Sequence, residues 1–352
     1  RELTPPTGYS LDSKVYKTVV DESLGFKDGS DYRLSDFTFT SADAPLNGKA
    51  QIIKVSSNKD ISEGNRCYSL EGCKFKLTNI ATKVEVPETM VTKADGKTQV
   101  IDLPVGQYSA REIEAPKGFR LNTKPVIIKV ETGKTSVINF EDEPANDPIN
   151  ILLRKVDSET GKAVSTGKGE LTGAEYTFKY YDAYYTSEND LEGIDPTRTW
   201  VIVTDDDGMI IFRSAQKVSG DEFYKNVLGD NTVPLGTITV QENKAPTGYT
   251  LDSTLYIQNI IAEPATGKII QSPQTVTSPE TIKRGDLKGI KISDGDMNRM
   301  AGVPFKITSL TTKESHIVVT DKNGQFDTSS SWNPHTQVPR MQAEKIPTMA
   351  VQ

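Results

Sequence analysis

Three copies of one ten-residue pattern constrain the fold of this chain more than any other feature. The pattern is Glu, two variable residues, Ala or Pro, Pro, any residue, Gly, an aromatic residue, any residue and Leu, and its copies begin at Glu2, Glu112 and Glu242. The copies are therefore 110 and 130 residues apart. Each copy of a repeat belongs to one structural unit, and spacings of this size are those of whole domains. The sequence thus predicts an array of related domains.

A second repeated landmark gives the order of segments within a unit. A short apolar segment carrying a lysine occurs around Lys54, Lys155 and Lys291, and each is followed by a Gly-small-x-aromatic segment. The order lysine segment, Gly-small-x-aromatic segment, glutamate motif is complete twice. We therefore predict the end of one domain over 1–45, complete domains over 46–146 and 147–284, and the beginning of another over 285–352, as in a piece of a longer protein.

The second complete domain is predicted to carry a long insertion between Tyr180 and Leu235. The segment 140–150, FEDEPANDPIN, is acidic, contains proline and has few aliphatic residues. That composition is typical of a linker, so we expect one between the two complete domains.

The composition excludes several classes of function. The 352 residues carry a net charge of −7, which argues against a nucleic acid or an anionic membrane as partner. No apolar run is long enough to span a membrane, and no signal peptide is visible. Two cysteines and two histidines are too few and too scattered for a structural zinc site, and we predict no cofactor or metal.

Short runs of β-branched and apolar residues, such as TSVINF, TWVIVT, TITVQE and HIVVTD, indicate β-strands. Turn signals such as ADGK, DDDGM and DKNGQ separate them, and no long helical periodicity is present. Several short strands per unit with regular turns predict an all-β chain of tandem sandwiches.

Taken together, the lysine strand, the Gly-Ala-x-aromatic strand and the E-x-x-A-P-x-G-Y motif resemble the B-type repeats of Gram-positive surface adhesins and pilins, also called SpaA-like or prealbumin-like domains. The resemblance implies an immunoglobulin-like β-sandwich for each unit. In many members a spontaneous isopeptide bond joins a lysine of the first strand to an asparagine of the last. The motif glutamate catalyses that bond.

Carried onto the first complete domain, the resemblance implies a bond between Lys54 and Asn139, promoted by Glu112. The chemistry requires a neutral amine, and burial between apolar strands disfavours the charged form of a lysine. A glutamate kept protonated by an apolar site can donate a hydrogen bond to the carboxamide and shuttle protons. The alternative is a salt bridge between Lys54 and Glu112, with Asn139 bonded to backbone.

In the second complete domain the match is partial. Lys155 and Glu242 are in place, but aligning the following lysine strands puts Thr275 where Asn139 stands, and threonine cannot accept the amine. Asn259, an aspartate, or an asparagine from another strand could serve instead, so the acceptor stays open. The same alignment puts Thr38 at this position in the N-terminal unit. Glu2 and Lys291 belong to partial units, and we expect neither to react within this chain.

The two cysteines, Cys67 and Cys73, are six residues apart. In a secreted protein such a pair suggests a disulfide that closes a small loop. The alternative is a small buried Cys73 and an exposed thiol at Cys67. A cysteine–glutamine thioester, known in some adhesin tips, is disfavoured because no domain of that type is visible.

Other polar and aromatic groups have ordinary explanations. The tyrosines of the YYDAYY segment fit a strand and its hairpin better than a binding surface: Tyr180, Tyr181, Tyr184 and Tyr185. The Asp205–Gly208 segment and the Asp294–Asn298 segment resemble calcium loops but lack the full ligand set, so turns explain them better. His316 and His335 have no partner nucleophile in the sequence.

These observations predict a structural protein: a stalk or shaft segment of a cell-wall-anchored adhesin or pilus on a Gram-positive bacterium, braced by autocatalytic isopeptide bonds. Its partners would be neighbouring domains of the same adhesin or pilus. The alternative is a ligand-binding adhesin module that contacts a host extracellular-matrix protein or glycan through the insertion in the second complete domain. No conventional enzyme activity is expected.

Overall fold

The computed structural model describes residues 1–17, 25–28, 31–34, 39–148, 151–165, 169–310, 313 and 315–328. Thr38, His335 and the segment beyond Thr328 lie outside these residues. The fold is almost entirely β. Among the described residues, no helix is long and apolar enough to cross a membrane. In the N-terminal unit, β1 (Gly25–Asp28) and β2 (Asp31–Leu34) form an antiparallel hairpin.

The first complete unit is a sandwich of two sheets, which we call the first sandwich. Its strands are β3 (Asn47–Ser56), β4 (Lys74–Asn79), β5 (Met90–Val91), β6 (Ile101–Pro104), β7 (Gly106–Glu114), β8 (Val126–Val130) and β9 (Thr135–Asp142). One sheet has the order β6-β3-β9 and the other β5-β4-β7-β8. The first and last strands, β3 and β9, pair in parallel. The chain therefore enters and leaves this unit through adjacent strands.

Alternation of apolar and polar residues builds the core of the first sandwich. On β3, Ala50 and Ile52 point inward and are fully buried, whereas Lys49 is exposed. The two sheets close on the aromatic residues Phe75, Tyr108 and Phe140. A short helix, α1 (Lys59–Ser62), follows β3.

The second complete unit, the second sandwich, is larger. A short strand, β10 (Asn146–Asp147), connects it to the first sandwich. Its own strands are β11 (Ile151–Asp157), β12 (Glu175–Tyr181), β13 (Arg198–Val203), β14 (Met209–Ile211), β15 (Lys217–Gly220), β16 (Tyr224–Lys225), β17 (Asn231–Pro234), β18 (Gly236–Lys244), β19 (Tyr249–Thr250), β20 (Leu255–Ala262), β21 (Ile269–Gln271) and β22 (Val276–Ile282). The sheets have the orders β14-β11-β22-β19 and β15-β13-β12-β18-β20-β21, with a small sheet β10-β17-β16. Again the first and last strands, β11 and β22, pair in parallel.

The predicted insertion between Tyr180 and Leu235 supplies β13 to β17 and two short 3-10 helices, Asn189–Leu191 and Ser214–Gln216. Of the tyrosine cluster, Tyr180 and Tyr181 are buried in β12, and Tyr184 is exposed. These two tyrosines belong to the core, as expected for a strand.

Residues 140–148 of the segment predicted to be a linker are ordered and largely buried. Residues up to Asp142 belong to β9, Ala145 is fully buried, and β10 pairs with β17. The linker prediction is therefore wrong for these residues. The acidic residues of this segment belong to folded structure: Asp142 is buried, and Glu141 lies on the exposed face of β9.

The two sandwiches share a packed junction. Tyr68 of the first donates a hydrogen bond to the Ala145 carbonyl (2.5 Å) and accepts one from the Leu235 N–H (2.8 Å). Asn65 donates to the Tyr180 hydroxyl at 2.8 Å. Ile61 of α1 joins the hydrophobic core of the second sandwich. The loop after β3 therefore ties the first unit to the second.

Beyond β22 the chain forms two antiparallel pairs, β23 with β26 and β24 with β25. The strands are β23 (Lys288–Ile290), β24 (Pro304–Thr308), β25 (Ser315–Val319) and β26 (Gln325–Asp327). His316 lies in β25. The Asp-rich segments are turns: Asp205 accepts the Met209 N–H at 2.9 Å, and Asp296 accepts the Asn298 N–H at 3.1 Å.

Candidate functional site: a buried lysine between two carboxyl groups

Among the residues that the structure describes, each sandwich holds one fully buried lysine. Lys54 on β3 is 1% exposed and Lys155 on β11 is 0% exposed. Both point inward because strand side chains alternate, and each shares a face with apolar neighbours two residues away. A buried ammonium group requires a partner of opposite charge. The surroundings of these two lysines therefore define the candidate sites.

The repeated motif is a turn that fixes a glutamate. In all three copies the aromatic residue donates its backbone N–H to the carbonyl of the proline three residues earlier, at 3.1 to 3.2 Å. The motif glycines have φ angles of 89° (Gly8), 83° (Gly118) and 84° (Gly248), a conformation that favours glycine. The invariance of this glycine therefore has a backbone cause.

The motif glutamate closes the same segment by a second contact. In each copy its Oε2 accepts the backbone N–H of the residue ten positions later. The pairs are Glu2 with Asp12 (2.6 Å), Glu112 with Asn122 (2.8 Å) and Glu242 with Asp252 (2.7 Å). In the two complete units this contact fixes the carboxylate and leaves Oε1 to face the lysine of the first strand.

In both complete units the motif glutamate sits at a register irregularity of its strand pair. Glu112 on β7 lies opposite Phe75, and Glu242 on β18 lies opposite Tyr176, with a shift of register immediately before each pair. Such bulges re-aim a side chain. Here both glutamates are buried and point at the lysine of the first strand.

In the first sandwich Lys54 contacts two acids. Its Nζ is 3.1 Å from Glu112 Oε1 and forms a closer ion pair with Asp142 at the end of β9. The Phe75 and Phe140 rings flank the ammonium group, with centroids 5.6 and 4.5 Å from Nζ. The lysine is thus enclosed by aromatic rings and reaches a carboxyl group on the last strand.

The predicted acceptor Asn139 does not meet Lys54. In the parallel register Asn139 lies beside Ile53, and its side chain is exposed. Asp142 lies three residues further along and is buried, because it shares the inward face with Phe140. The structure therefore replaces Asn139 by Asp142 as the partner of Lys54. The predicted contact between Lys54 and Glu112 is present.

In the second sandwich Lys155 also contacts two acids. Its Nζ donates to Glu242 Oε1 at 2.5 Å and forms an ion pair with Glu280 on β22. It donates as well to the Tyr176 hydroxyl at 2.9 Å, which contacts Ser278 Oγ at 2.7 Å. Sequence reasoning had missed Glu280 altogether, as it had missed Asp142.

Neither Thr275, which the alignment placed at the acceptor position, nor Asn259 lies at the Lys155 site. Thr275 is exposed and precedes β22. Asn259 on β20 accepts the Thr237 hydroxyl at 2.7 Å and donates to the Tyr185 carbonyl at 3.2 Å. In the register of β11 and β22, Thr277 occupies the place that Asn139 has in the first sandwich. The alignment over the following lysine strands was off by two residues.

The two newly found acids are electrostatically alike. Burial raises the pKa of Asp142 to about 7, against the opposing pull of Lys54, and burial raises the pKa of Glu280 to about 7, against Lys155. Apart from the lysine contacts, both oxygens of each carboxyl group are buried without a hydrogen-bond partner among the described residues. Each group is therefore a carboxyl that can be neutral near physiological pH and that directly faces an amine.

The cysteines do not pair. Cys67 and Cys73 are both free and buried, so the predicted disulfide is wrong, and so is the exposed position considered for Cys67. Cys67 lies at the junction, where its thiol donates to the Asp182 carbonyl at 3.4 Å, and burial raises its pKa to about 11. Cys73 instead lies at the first site, with Sγ 2.9 Å from Glu112 Oε1.

The first part of the insertion covers the outer face of β12 and β18. A polar cleft of about 460 Å³ lies between the insertion and these strands. Its lining includes Lys179, Glu188, Glu192 and Gln241. This cleft lies on the face of the sheet opposite to the Lys155 site, because Gln241 lines the cleft whereas its neighbour Glu242 points inward.

The comparisons with known proteins agree with this architecture. Residues 48–144 match the sequence model of the SpaA prealbumin-like fold domain. The match runs from β3 to just beyond β9 and includes all three residues of the first site. The first sandwich therefore matches the SpaA prealbumin-like domain, and the second sandwich follows it as another β-sandwich.

A solved structure of the TIE protein of Bacillus anthracis has the same fold, with a TM-score of 0.51, 20% sequence identity, and coverage of 86% of this chain and 49% of that chain. This chain thus spans about half the length of that protein. A streptococcal ancillary pilin (18% identity, TM-score 0.25, 74% of each chain) and BcpA, the major pilin subunit of Bacillus cereus (13% identity, TM-score 0.30, 80% of this chain and 84% of that chain), are also similar. Only the TIE protein, among these three structures, superposes well enough to show a shared overall fold. No curated protein sequence matches this chain.

Proposed function

We propose that this chain is a structural segment of a surface adhesin or pilus of a Gram-positive bacterium, and that each complete sandwich is braced by an amide bond between its first and last strands. The bonds join Lys54 to Asp142 and Lys155 to Glu280. The observation that carries the proposal is the buried ion pair between a first-strand lysine and a last-strand carboxyl group, found twice. The SpaA-type domain match and the pilins among the similar structures support the surface role.

The arrangement can perform the chemistry once in each unit. With one proton on Asp142, the ammonium of Lys54 transfers a proton to Glu112 and becomes an amine. Nζ then attacks the Asp142 carboxyl carbon, the N–C bond forms, and the C–O bond to the hydroxyl breaks. Glu112 returns its proton to the leaving hydroxyl and receives the second amine proton. The products are an amide, one water and a protonated Glu112.

The physical consequence is a closed covalent loop around most of the sandwich. Cross-linking a loop of this length removes unfolded-state entropy worth about 4–5 kcal/mol, if the relation found for disulfides applies. Tension along the chain would pass from β3 to β9 through the bond and bypass the strands between them. A fibre exposed outside the cell would gain stability and resistance to extension.

The intact mass of the reduced chain tests the proposal. We expect the loss of two waters relative to the sequence, and of one water in Lys54→Ala or Lys155→Ala beyond the change of residue. Lys49, exposed on β3, offers the matched control, because Lys49→Ala should still lose two waters. An unmodified mass in the parent chain would overturn the crosslinking proposal.

A second candidate function is ligand binding by the insertion of the second sandwich. The polar cleft between the insertion and the sheet supports it, since loops on a rigid scaffold commonly carry binding sites. Host matrix proteins and glycans are the ligands to screen, by array binding of the full chain. Substituting both Glu188 and Glu192 by Ala should then abolish any binding detected, whereas Glu63→Ala outside the cleft should not.

A further inference from the structure

The two carboxyl groups of the first site differ in how their oxygens are satisfied. Glu112 has both oxygens engaged: Oε2 accepts the Asn122 N–H at 2.8 Å, and Oε1 accepts the Cys73 thiol at 2.9 Å. Asp142 is paired with Lys54, and no neutral hydrogen-bond donor reaches either of its oxygens among the described residues. Hydrogen-bond donors favour the ionised form of a carboxyl group. The negative charge is therefore better supported on Glu112 than on Asp142.

The thiol of Cys73 is held in place as a donor. Cys73 is 0% exposed and directly precedes β4, and its N–H donates to Thr92 Oγ1 at 2.9 Å. The Thr92 hydroxyl in turn donates to the Leu70 carbonyl at 2.5 Å. Burial and the adjacent Glu112 raise the pKa of Cys73, so the sulfur keeps its proton. The contact is consequently S–H to carboxylate.

We propose that Cys73 is a positioning residue for crosslinking in the first sandwich: its thiol holds Glu112 as the ionised proton acceptor and leaves Asp142 as the neutral carboxyl group that Lys54 attacks. This inference rests on the proposed amide bond between Lys54 and Asp142. It gives a role in the reaction to a residue other than Lys54, Glu112 and Asp142. A neutral carboxyl group is also the better electrophile, because hydroxyl leaves it more easily than oxide would.

The second sandwich shows what replaces the thiol. Ala174 stands at the place of Cys73, since each occupies the small position of the Gly-small-x-aromatic segment. There Glu242 Oε1 receives its hydrogen bond from Lys155 itself, at 2.5 Å. In the first sandwich the Cys73 thiol supplies the hydrogen bond to Oε1. Lys54 Nζ remains 3.1 Å from Glu112 Oε1 and forms its closer ion pair with Asp142.

The rate of water loss tests this role. The full chain is made by cell-free synthesis under reducing conditions, and intact mass is followed over time for Cys73→Ala, Cys73→Ser and the control Cys67→Ala. We expect Cys73→Ala to slow the first bond by about tenfold, the size of one hydrogen bond to a charged group. Cys73→Ser restores the donor and should recover most of the rate, and Cys67→Ala should react as the parent. Digestion and mass mapping assign each loss to its sandwich.

The pH dependence of that rate separates positioning from packing. The charged groups facing Glu112 are Lys54 from β3 and Asp142 from β9, with the thiol before β4 and the Asn122 backbone completing its surroundings. The negative charge of Glu112 contributes to the raised pKa of Asp142. Without the thiol the ionised form of Glu112 is less stabilised, so Glu112 raises the pKa of Asp142 less. Asp142 then loses its proton at a lower pH, and the rate of bond formation in Cys73→Ala should begin to fall at a lower pH. A packing role would lower the melting temperature and leave the profile unchanged.

The outcomes distinguish the two proposals. A parent chain that never loses water at the first site refutes the amide bond, and the role of Cys73 with it. A parent chain that reacts while Cys73→Ala reacts at the same rate and with the same pH profile refutes only the role of Cys73. Slow reaction of Cys73→Ala, rescued by serine, supports it.

Discussion

The two complete sandwiches hold the same reactants in different surroundings. Lys54 lies between two phenylalanine rings and meets an aspartate, whereas Lys155 touches a tyrosine hydroxyl and meets a glutamate. The positions correspond: Phe75 and Tyr176 face the motif glutamates, and Phe140 and Ser278 pair with the lysines across the parallel strands.

Glu280 is longer than its counterpart Asp142, and Ser278, two residues earlier on the same inward face, is smaller than its counterpart Phe140. The comparison teaches that the fold conserves a topological relation, a lysine on the first strand beside an acid on the last. The identity of the neighbours is free to change as long as the volume is filled and polar groups are paired.

The largest expected effect is the loss of the crosslink itself. Lys54→Ala should lower the free energy of unfolding by about 4–5 kcal/mol, because the loop opens. It also leaves Glu112 and Asp142 buried without their cation. Lys155→Ala should act similarly on the second sandwich. Thermal unfolding by calorimetry measures both, with Lys49→Ala as control; equal losses for Lys54→Ala and Lys49→Ala would contradict the comparison.

A somewhat smaller loss is expected when only the acceptor is removed. Asp142→Ala prevents the bond but keeps Lys54 paired with Glu112, so less buried charge is left unbalanced. Asn139→Ala, on the exposed face of the same strand, should retain the bond and the stability. Intact mass distinguishes them. Abolition of the first bond by Asn139→Ala would restore the acceptor that the sequence had suggested.

The chemical identity of the leaving group sharpens this test. Asp142→Asn offers a carboxamide, from which the same attack by Lys54 releases ammonia instead of water. The crosslinked product then has the mass of the crosslinked parent. Glu280→Gln makes the same test in the second sandwich. If either variant stays at its unreacted mass while the parent reacts, the protonated acid is essential at that site.

A pH effect of a few degrees in melting temperature is expected for chains that cannot form the bonds. In the double variant Glu112→Gln, Glu242→Gln, Asp142 and Glu280 remain free acids. Burial, the largest cause of the raised pKa of both acids in the parent chain, persists in this variant, whereas the contribution of the two glutamate charges is removed. The folded state therefore still binds more protons than the unfolded state above about pH 4, so the stability from these groups is full below about pH 4 and is lost as pH rises through the raised pKa values.

The crosslinked parent chain is the control for that experiment, because its amides do not titrate. We expect the gap in melting temperature between parent and double variant to widen from pH 4 to pH 8. A gap that stays constant over this range would show that the two acids do not carry the raised pKa values.

The smallest expected effect concerns the neighbour that differs between the units. Tyr176→Phe gives the second site the aromatic residue of the first and removes a hydroxyl bonded to Lys155 and Ser278. The loss should be about 1 kcal/mol, the net value of a buried hydrogen bond. Tyr9→Phe, at an exposed tyrosine of the N-terminal unit, should change nothing. Denaturant unfolding measures both, and a loss of several kcal/mol in Tyr176→Phe would mean that the hydroxyl is needed for the bond.

Much of the architecture was accessible from the sequence because it is encoded locally. The motif glutamates, the first-strand lysines and the β-sandwich class follow from repeated residues and from turn chemistry. The motif glycine adopts a left-handed conformation in all three copies, so its repetition has a local cause that a sequence displays directly. The buried contact between Lys54 and Glu112 was also predicted correctly.

The acceptors were missed because they depend on how two distant strands lie side by side. Alternation places Ile138, Phe140 and Asp142 on one face of β9 and Asn139 on the other, but only the register against β3 tells which face meets Lys54. For the same reason the alignment that pointed to Thr275 failed, since the segment after β22 differs in length from that after β9. The buried fate of Cys67 likewise depends on the junction with the second sandwich.

The sequence by itself therefore determined the units, their order and the two residues of each site that lie in repeated motifs, because these follow from local periodicity and backbone conformation. The tertiary structure alone decided that Asp142 and Glu280 face the lysines, that Cys73 binds Glu112, and that the segment between the sandwiches is buried. The physical reason is that register, burial and the pairing of charges arise only when strands far apart in sequence pack together.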